Sequence, residues 1–178
     1  MRTTVYVGTS LDGFIARPNG DLDWLDNSEN HNREVLDSYN AFMSKIDAVV
    51  IGRGTFEKVL TFPSWPYEKK VFVLSTSLRQ LPDAAREKAA VLSMKPGEVL
   101  RYLSNQRFSN IYVDGGKVIQ AFLKEDCIDE LVITRIPVLL GSGIPLFGDL
   151  DKDLRFKHVR TQVYSNGLVR SHYERKRK

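Results

Sequence analysis

Val49-Val50-Ile51-Gly52-Arg53-Gly54-Thr55-Phe56-Glu57 is the stretch whose reading decides the fold. A run of β-branched residues with strand character stops at glycine, and a helical pattern starts at once. A strand ending this way aims free backbone N–H groups, and the positive end of a helix dipole, beyond its carboxyl end. The same junction recurs at Ile111-Tyr112-Val113-Asp114-Gly115-Gly116-Lys117-Val118-Ile119. Two such junctions in one small chain point to a ligand with phosphates at more than one place along its length. A dinucleotide meets that description.

The flanking segments alternate in the same way. Thr3–Thr9 reads as the first strand and feeds a long loop from Ser10 to Trp24, turned at Pro18-Asn19-Gly20. Val35, Leu36, Tyr39, Phe42, Met43 and Ile46 follow helical spacing and predict a helix from about Ser28 to Lys45. Past Ala48–Ile51 and a helix over Arg53–Leu60 come strands at Lys70–Leu74 and, more weakly, Ala90–Leu92. A helix from about Gly97 to Asn105, a strand over Asn110–Val113 and a helix over Lys117–Leu123 follow. Leu131–Val138 reads as a strand, and Leu154–Val163 with Gly167–Tyr173 as a hairpin turned at Ser165-Asn166-Gly167. The pattern predicts a three-layer α/β/α domain: a mostly parallel sheet covered on both faces, with an antiparallel C-terminal hairpin at its edge. No repeat or linker divides it, so residues 1–178 are expected to form one domain.

Composition narrows the partners. The 178 residues carry 26 Lys and Arg against 22 Asp and Glu, a formal charge of +4. Four of those bases and one acid lie in Glu174-Arg175-Lys176-Arg177-Lys178; without that tail the balance is 22 to 21. A nearly neutral body argues against a nucleic-acid partner. Cys127 is the only cysteine, which excludes an intrachain disulfide and suits a reducing compartment. His31, His158 and His172 lack a metal-ligand spacing, so no metal is expected. No apolar run reaches the length of a signal h-region or a membrane span, so a cytoplasmic protein without a membrane partner is expected.

Three strand ends carry groups suited to an anion. At the first, Gly52 and Gly54 let backbone approach a phosphate, Thr55 offers a hydroxyl, and Arg53 presents a fork of donors. At the second, Ser75-Thr76-Ser77 supplies hydroxyls; at the third, Gly115 and Gly116 permit positive φ and close approach. Each has a plainer local reading, respectively a capped strand–helix turn, a capped turn, and tight helix–sheet packing. In an open parallel sheet, ligands bind beyond the carboxyl ends of the strands, where all three would meet. The first strand leads into Ser10-Leu11-Asp12-Gly13-Phe14-Ile15-Ala16 and not into Gly-x-Gly-x-x-Gly, unlike an ordinary Rossmann dehydrogenase.

In this order the motifs resemble the dihydrofolate reductase superfamily. They are Ser10–Ala16 with its loop to Trp24, Ile51–Glu57, Val73-Leu74-Ser75-Thr76, Val113–Leu123 and Pro137–Phe147. The Ser-Leu-Asp-Gly start and Gly141-Ser142-Gly143-Ile144-Pro145-Leu146-Phe147 favour the branch containing the C-terminal reductase domain of bacterial riboflavin biosynthesis, RibD. The resemblance implies an NADPH-dependent reductase, a homodimer, that delivers hydride to a C=N or C=O bond of a small pyrimidine, pterin or related heterocycle. The alternative is a nucleotide-binding module of the same fold that has lost catalysis. Arg53, Ser75 and Thr76 would hold the 2′-phosphate of NADPH, and Gly52, Gly54, Thr55, Gly115, Gly116, Lys117 and Val118 would flank the pyrophosphate. Ile15 and Ala16 would line the nicotinamide pocket, with Arg17–Trp24 as a lid. Folate reductases carry a proton-assisting carboxylate on the first long helix, where Glu34 and Asp37 fall; Asp37 and Asp12 are the candidate catalytic acids. Asp37 has a plain reading as a solvated helix face, and Asp12 as part of an Asp-Gly turn. Gly141–Phe147 reads either as a substrate-contacting loop or as part of a dimer interface.

Overall fold

The computed structural model describes residues 1–25 and 33–177. In chain order the elements are β1 (Arg2–Thr9), β2 (Phe14–Ala16), α1 (Arg33–Met43), β3 (Ala48–Gly52), α2 (Arg53–Val59), β4 (Lys70–Leu74) and β5 (Ala89–Leu92). They continue with α3 (Pro96–Asn105), β6 (Asn110–Asp114), α4 (Gly116–Lys124), β7 (Glu130–Arg135), β8 (Ile144–Pro145), β9 (Phe156–Val163) and β10 (Val169–Arg175). Eight strands form one sheet in the order β5-β4-β3-β6-β1-β7-β10-β9, while β2 and β8 pair separately. Every pairing from β5 to β7 is parallel; β10 runs antiparallel to β7 and to β9.

Strand parity assigns the layers. Ala48, Val50, Phe72, Ile111, Val113, Val5 and Val7 point to one face and pack against Val99 and Leu103 of α3 and Ile119 and Phe122 of α4. Val49, Ile51, Val71, Val73, Tyr112 and Tyr6 point to the other, toward Phe42 and Met43 of α1 and Phe56 of α2. The strands buried on both faces are the near-continuous apolar runs that a parallel sheet requires. The α1 helix is different: it lies over the sheet without burying any residue completely.

Strand order creates the position of interest. From β3 the chain moves through α2 to β4 on one side; from β6 it moves through α4 to β7 on the other. Because β3 and β6 are hydrogen-bonded neighbours, with Ile51 opposite Asp114, their carboxyl ends form the topological switch point of the sheet.

Several boundaries differ from expectation. The β2–β8 pair falls within segments whose pattern predicts loop, because strands of three and two residues are too short to show a period and exist only by pairing with each other. The strand expected to reach Val138 stops at Arg135: Ile136 N–H turns to Thr9 O (2.8 Å), and Pro137 has no N–H to offer a ladder. The expected helix start at Ser28 lies outside the described residues. The hairpin turns where expected, at Gly167 with φ +84°, but its strands begin two residues later.

Candidate functional site

The two glycine junctions meet at the switch point. Gly115 adopts φ +92°, and a Cβ built there would stand 2.3 Å from Thr55 Oγ1 and 3.7 Å from Gly52 N. A Cβ on Gly52 would in turn reach Val118 Cγ2 at 3.0 Å. Glycine at these positions therefore lets α2 and α4 start side by side. Gly54 faces open space, with nothing within 4 Å of its would-be Cβ. Lys117 is exposed at the start of α4 and Val118 is buried behind it. At seven residues α2 carries a weaker dipole than α4, so its backbone and side-chain donors matter more.

On the β4 side, Arg53 Nη1 donates to Ser77 Oγ (2.9 Å), and its Nε lies 3.3 Å from Glu57. About half of the Arg53 side chain remains accessible, so the guanidinium is held in place and still open to a ligand. Ser75 Oγ accepts the N–H groups of Ser77 and Leu78 (3.2 and 2.9 Å), shaping the loop, while Thr76 is exposed. Ser77, outside the set singled out by resemblance, is thus the hydroxyl that touches Arg53. Its signal was present in the Ser-Thr-Ser run, but the run does not say which hydroxyl turns back.

Over the opposite side, β2 and β8 roof the start of α4. A Cβ on Gly116 would meet Ile144, Ile15 and Pro145 O at 3.1–3.2 Å, so Ile15 lies against this glycine, with buried Ala16 beside it in β2. Leu146 is buried in the core and Gln120 Nε2 donates to Pro145 O (2.9 Å), which fixes the roof on α4. Asp12 is exposed and accepts from Ser10 Oγ (2.6 Å), Leu140 N (3.2 Å) and Gly141 N (2.7 Å). These donors, Ser10 first, hold its carboxyl below the usual range and keep it ionised. The Arg17–Trp24 loop is pinned at three points. Arg17 forks onto Asp23 (2.6 and 2.8 Å), Lys58 of α2 reaches Asp21 (2.9 Å), and Trp24 is buried against Ile136, Tyr164 and Leu168.

Asp37 is not brought to this place. Its side chain is 68% exposed and lies 3.8 Å from Arg33 one turn earlier, while Tyr39 and Phe42 of the same helix face Tyr6. The carboxylate that does sit at the switch point is Asp114, at the end of β6, which accepts the Gly115 N–H (2.7 Å). Burial pushes its carboxyl up, against the opposing effect of the Gly115 N–H and the Tyr112 hydroxyl. Burial, and then the Asp114 charge, raise the Tyr39 phenol to about 12 and those of Tyr67 and Tyr112 as well. The available signal was an acid closing an otherwise apolar strand immediately before two glycines.

The Asp114 shift has a thermodynamic consequence. Its folded value lies above its unfolded one, so between the two the folded protein holds the extra proton, and stability falls as pH rises through that window. Asp114→Asn removes the term. The variant is expected to melt above wild type at pH 7, the gap closing toward pH 3; melting curves that differ equally at all pH values would contradict this.

Among the described residues, one group of potential metal ligands lies at the other end of the sheet, near the start of β7. Glu130, His172 and Glu174 place ligand-type atoms within 4.8 Å of one another, but the Arg2 guanidinium already stands 2.7 Å from Glu130 and 3.4 Å from Glu174. Among the described residues, no helix is long and apolar enough to cross a membrane.

With this geometry in view, comparison with known proteins is informative. Residues 3–170 match the RibD C-terminal domain family. The chain is 37% identical over 178 residues to the uncharacterized protein YwjB of Bacillus subtilis, covering 98% of each. It superimposes with a TM-score of 0.91 and 42% identity on a putative riboflavin biosynthesis protein from Shewanella sp. PV-4, covering 99% of this chain and all of that one. A dihydrofolate reductase from Enterococcus faecalis complexed with NADP(H) has the same fold, with a TM-score of 0.67, 20% identity and coverage of 99% and 97%. The architecture is thus dihydrofolate reductase-like.

Proposed function

The chain belongs to the RibD C-terminal domain family, and from this we propose that it is an NADPH-dependent reductase acting on a small heterocycle. The observation that carries the proposal is the meeting of Gly52–Thr55, Ser75–Ser77 and Gly115–Gly116 at one switch point, with Arg53 held open beside them. The residues fit the cofactor: Gly54 faces open space, Gly115 lets the two helix starts converge beside it, and the donors there are backbone N–H groups, hydroxyls and one guanidinium. Arg53, with Ser77 and the Ser75–Thr76 loop, would take the 2′-phosphate. Gly52, Gly54, Thr55, Gly115, Gly116, Lys117 and Val118 would take the pyrophosphate, and Ile15 and Ala16 the nicotinamide.

NADPH, when bound, supplies the hydride; the chain supplies position and dryness. The β2–β8 roof and the Arg17–Trp24 loop would close over the reacting rings. Asp12 stays ionised and ties Ser10 to the Leu140–Gly141 turn, a positioning role. Asp114, whose carboxyl is raised by burial, accepts the Gly115 N–H and so borders the proposed pyrophosphate site. A homodimer accords with the same reading, since β9 at the sheet edge is exposed from Lys157 to Val163.

The test is a thermal shift with NADPH, followed by absorbance at the nicotinamide band with pterins, pyrimidines and flavins on offer. At a hundredfold excess over Kd the cofactor should add about 2.7 kcal/mol, a rise of roughly 5–11 °C in Tm. Consumption of NADPH with any of these acceptors supports the reductase. Binding without consumption points to the silent nucleotide-binding module, and no binding sinks both.

A further inference from the structure

The basic run Arg175-Lys176-Arg177 lies at the amino end of the sheet, where β10 stops beside the turn from α4 into β7. That turn holds a residue at odds with its position. The α4 helix ends with Asp126 N–H donating to Leu123 O (2.9 Å) and Cys127 N–H to Phe122 O (2.8 Å), the bond pair of a Schellman cap. Such a cap favours glycine at its left-handed position, yet Asp126 stands there at φ +55°. Its negative charge is misplaced as well, because the carboxyl end of a helix favours cations. On local grounds Asp126 is wrong twice.

Its partners come from 49 positions along the chain. Arg175 forks onto the Asp126 carboxylate through Nε and Nη2 (2.7 and 3.1 Å), and its Nη1 donates to Arg155 O and Lys176 O (2.8 and 2.7 Å). The Arg175 side chain is 9% exposed and lies 5.8 Å from the Phe156 ring. Arg177 donates through Nη1 to Asp129 Oδ1 and through Nη2 to Asp126 O (3.0 Å). The other Asp129 oxygen accepts Thr3 N–H (2.8 Å) and the Thr3 hydroxyl (3.0 Å). Backbone bonds run alongside, from Arg175 N–H to Asp129 O (2.7 Å) and from Lys176 N–H to Arg155 O (2.8 Å). The start of β1, the α4–β7 turn, the approach to β9 and the end of β10 are thereby tied at one place.

We propose that this basic run is a clasp: Arg175 and Arg177, seated on Asp126 and Asp129, lock the edge hairpin to the α4–β7 turn and are not an arm for a polyanion. The two guanidinium groups bring to the end of α4 the positive charge that its dipole favours. Arg175 uses donors on all three of its nitrogens within the chain, so a polyanion would have to strip it from a bidentate partner. The same fork holds the Asp126 carboxyl below the usual carboxylate range. A strand end without such ties frays; here the last residues of β10 are fastened by side chains and backbone together.

The experiment is a double-mutant cycle on the full chain, read by thermal melting. Asp126→Gly relieves the left-handed backbone and removes the carboxylate in one step. In wild type it should lower Tm by about 4 °C or more, because the lost clasp outweighs the relieved strain. In Arg175→Met, where the acid has lost its fork, the same change should cost nothing or raise Tm. If Arg175→Met does not fold, Asp126→Asn carries the test, since asparagine tolerates positive φ and lacks the charge. The amides of Arg175 and Lys176 should then exchange with solvent at least about tenfold faster than in wild type. A rise in Tm for Asp126→Gly in wild type, an equal loss in both backgrounds, or unaltered exchange in Asp126→Asn overturns the proposal. So does a DNA duplex that binds wild type and loses its affinity in Arg177→Met, since these bases would then be free for a partner.

Discussion

Gly115→Ala is expected to destabilise the protein by about 3 kcal/mol and to lower Tm by roughly 6–12 °C. Two causes add. At φ +92° an L side chain is strained whatever surrounds it, and the new Cβ would stand 2.3 Å from Thr55 Oγ1. Thr55 can relieve the contact only by turning its hydroxyl, and Gly52 N lies just behind it. The substitution therefore separates α2 from α4 at their starts, so the variant should also lose most NADPH affinity at temperatures where it is still folded. Gly54→Ala is the control, since a Cβ there meets nothing within 4 Å. It should melt within a degree or so of wild type and still bind the cofactor less well. A Gly115→Ala protein that melts and binds like wild type would mean that the two junctions are not packed together.

Arg53→Ala is expected to weaken NADPH about 10- to 150-fold, the equivalent of losing a charge-assisted contact worth about 1.5–3 kcal/mol. NADH, which lacks the extra phosphate, should change by no more than about twofold by the same reasoning. In the free protein Arg53 is shared between Ser77 and Glu57, both exposed, so its removal should leave Tm nearly unchanged. Glu57 competes with a phosphate for the same guanidinium. Glu57→Gln should therefore tighten NADPH slightly, in the direction opposite to Arg53→Ala. Paired titrations with the two nicotinamide cofactors measure both. Equal losses for NADPH and NADH in Arg53→Ala would remove the phosphate-reading role.

The architecture was legible because its signals are local. β-Branched runs closed by glycine, such as Val49–Gly52 and Ile111–Gly115, declare a strand and its end within a few residues, and Asn166-Gly167 declares a turn. The roof was not legible: Ile144-Pro145 is a strand only because Phe14–Ala16 lies alongside it. Nor was the carboxylate. Asp37 and Tyr39 are two residues apart on one helix, and the 100° rotation per residue puts one in solvent and the other against Tyr6. Helical spacing places the apolar face but leaves open which acid, if any, the site will use.

What the chain declares residue by residue is the alternation of strand and helix, the glycines that end the strands, and the anion-seeking character of Arg53 and its neighbours. Each of these depends on backbone freedom and side-chain chemistry within one or two turns. What awaited the folded molecule is which distant pieces meet: β6 inserted between β3 and β1, Gly115 against Thr55, Asp114 at the switch point, and Arg170 against Ser38 of α1. These follow from pairing and burial across the whole sheet, where partners lie up to 172 positions apart, as Arg2 and Glu174 do. No local propensity extends that far.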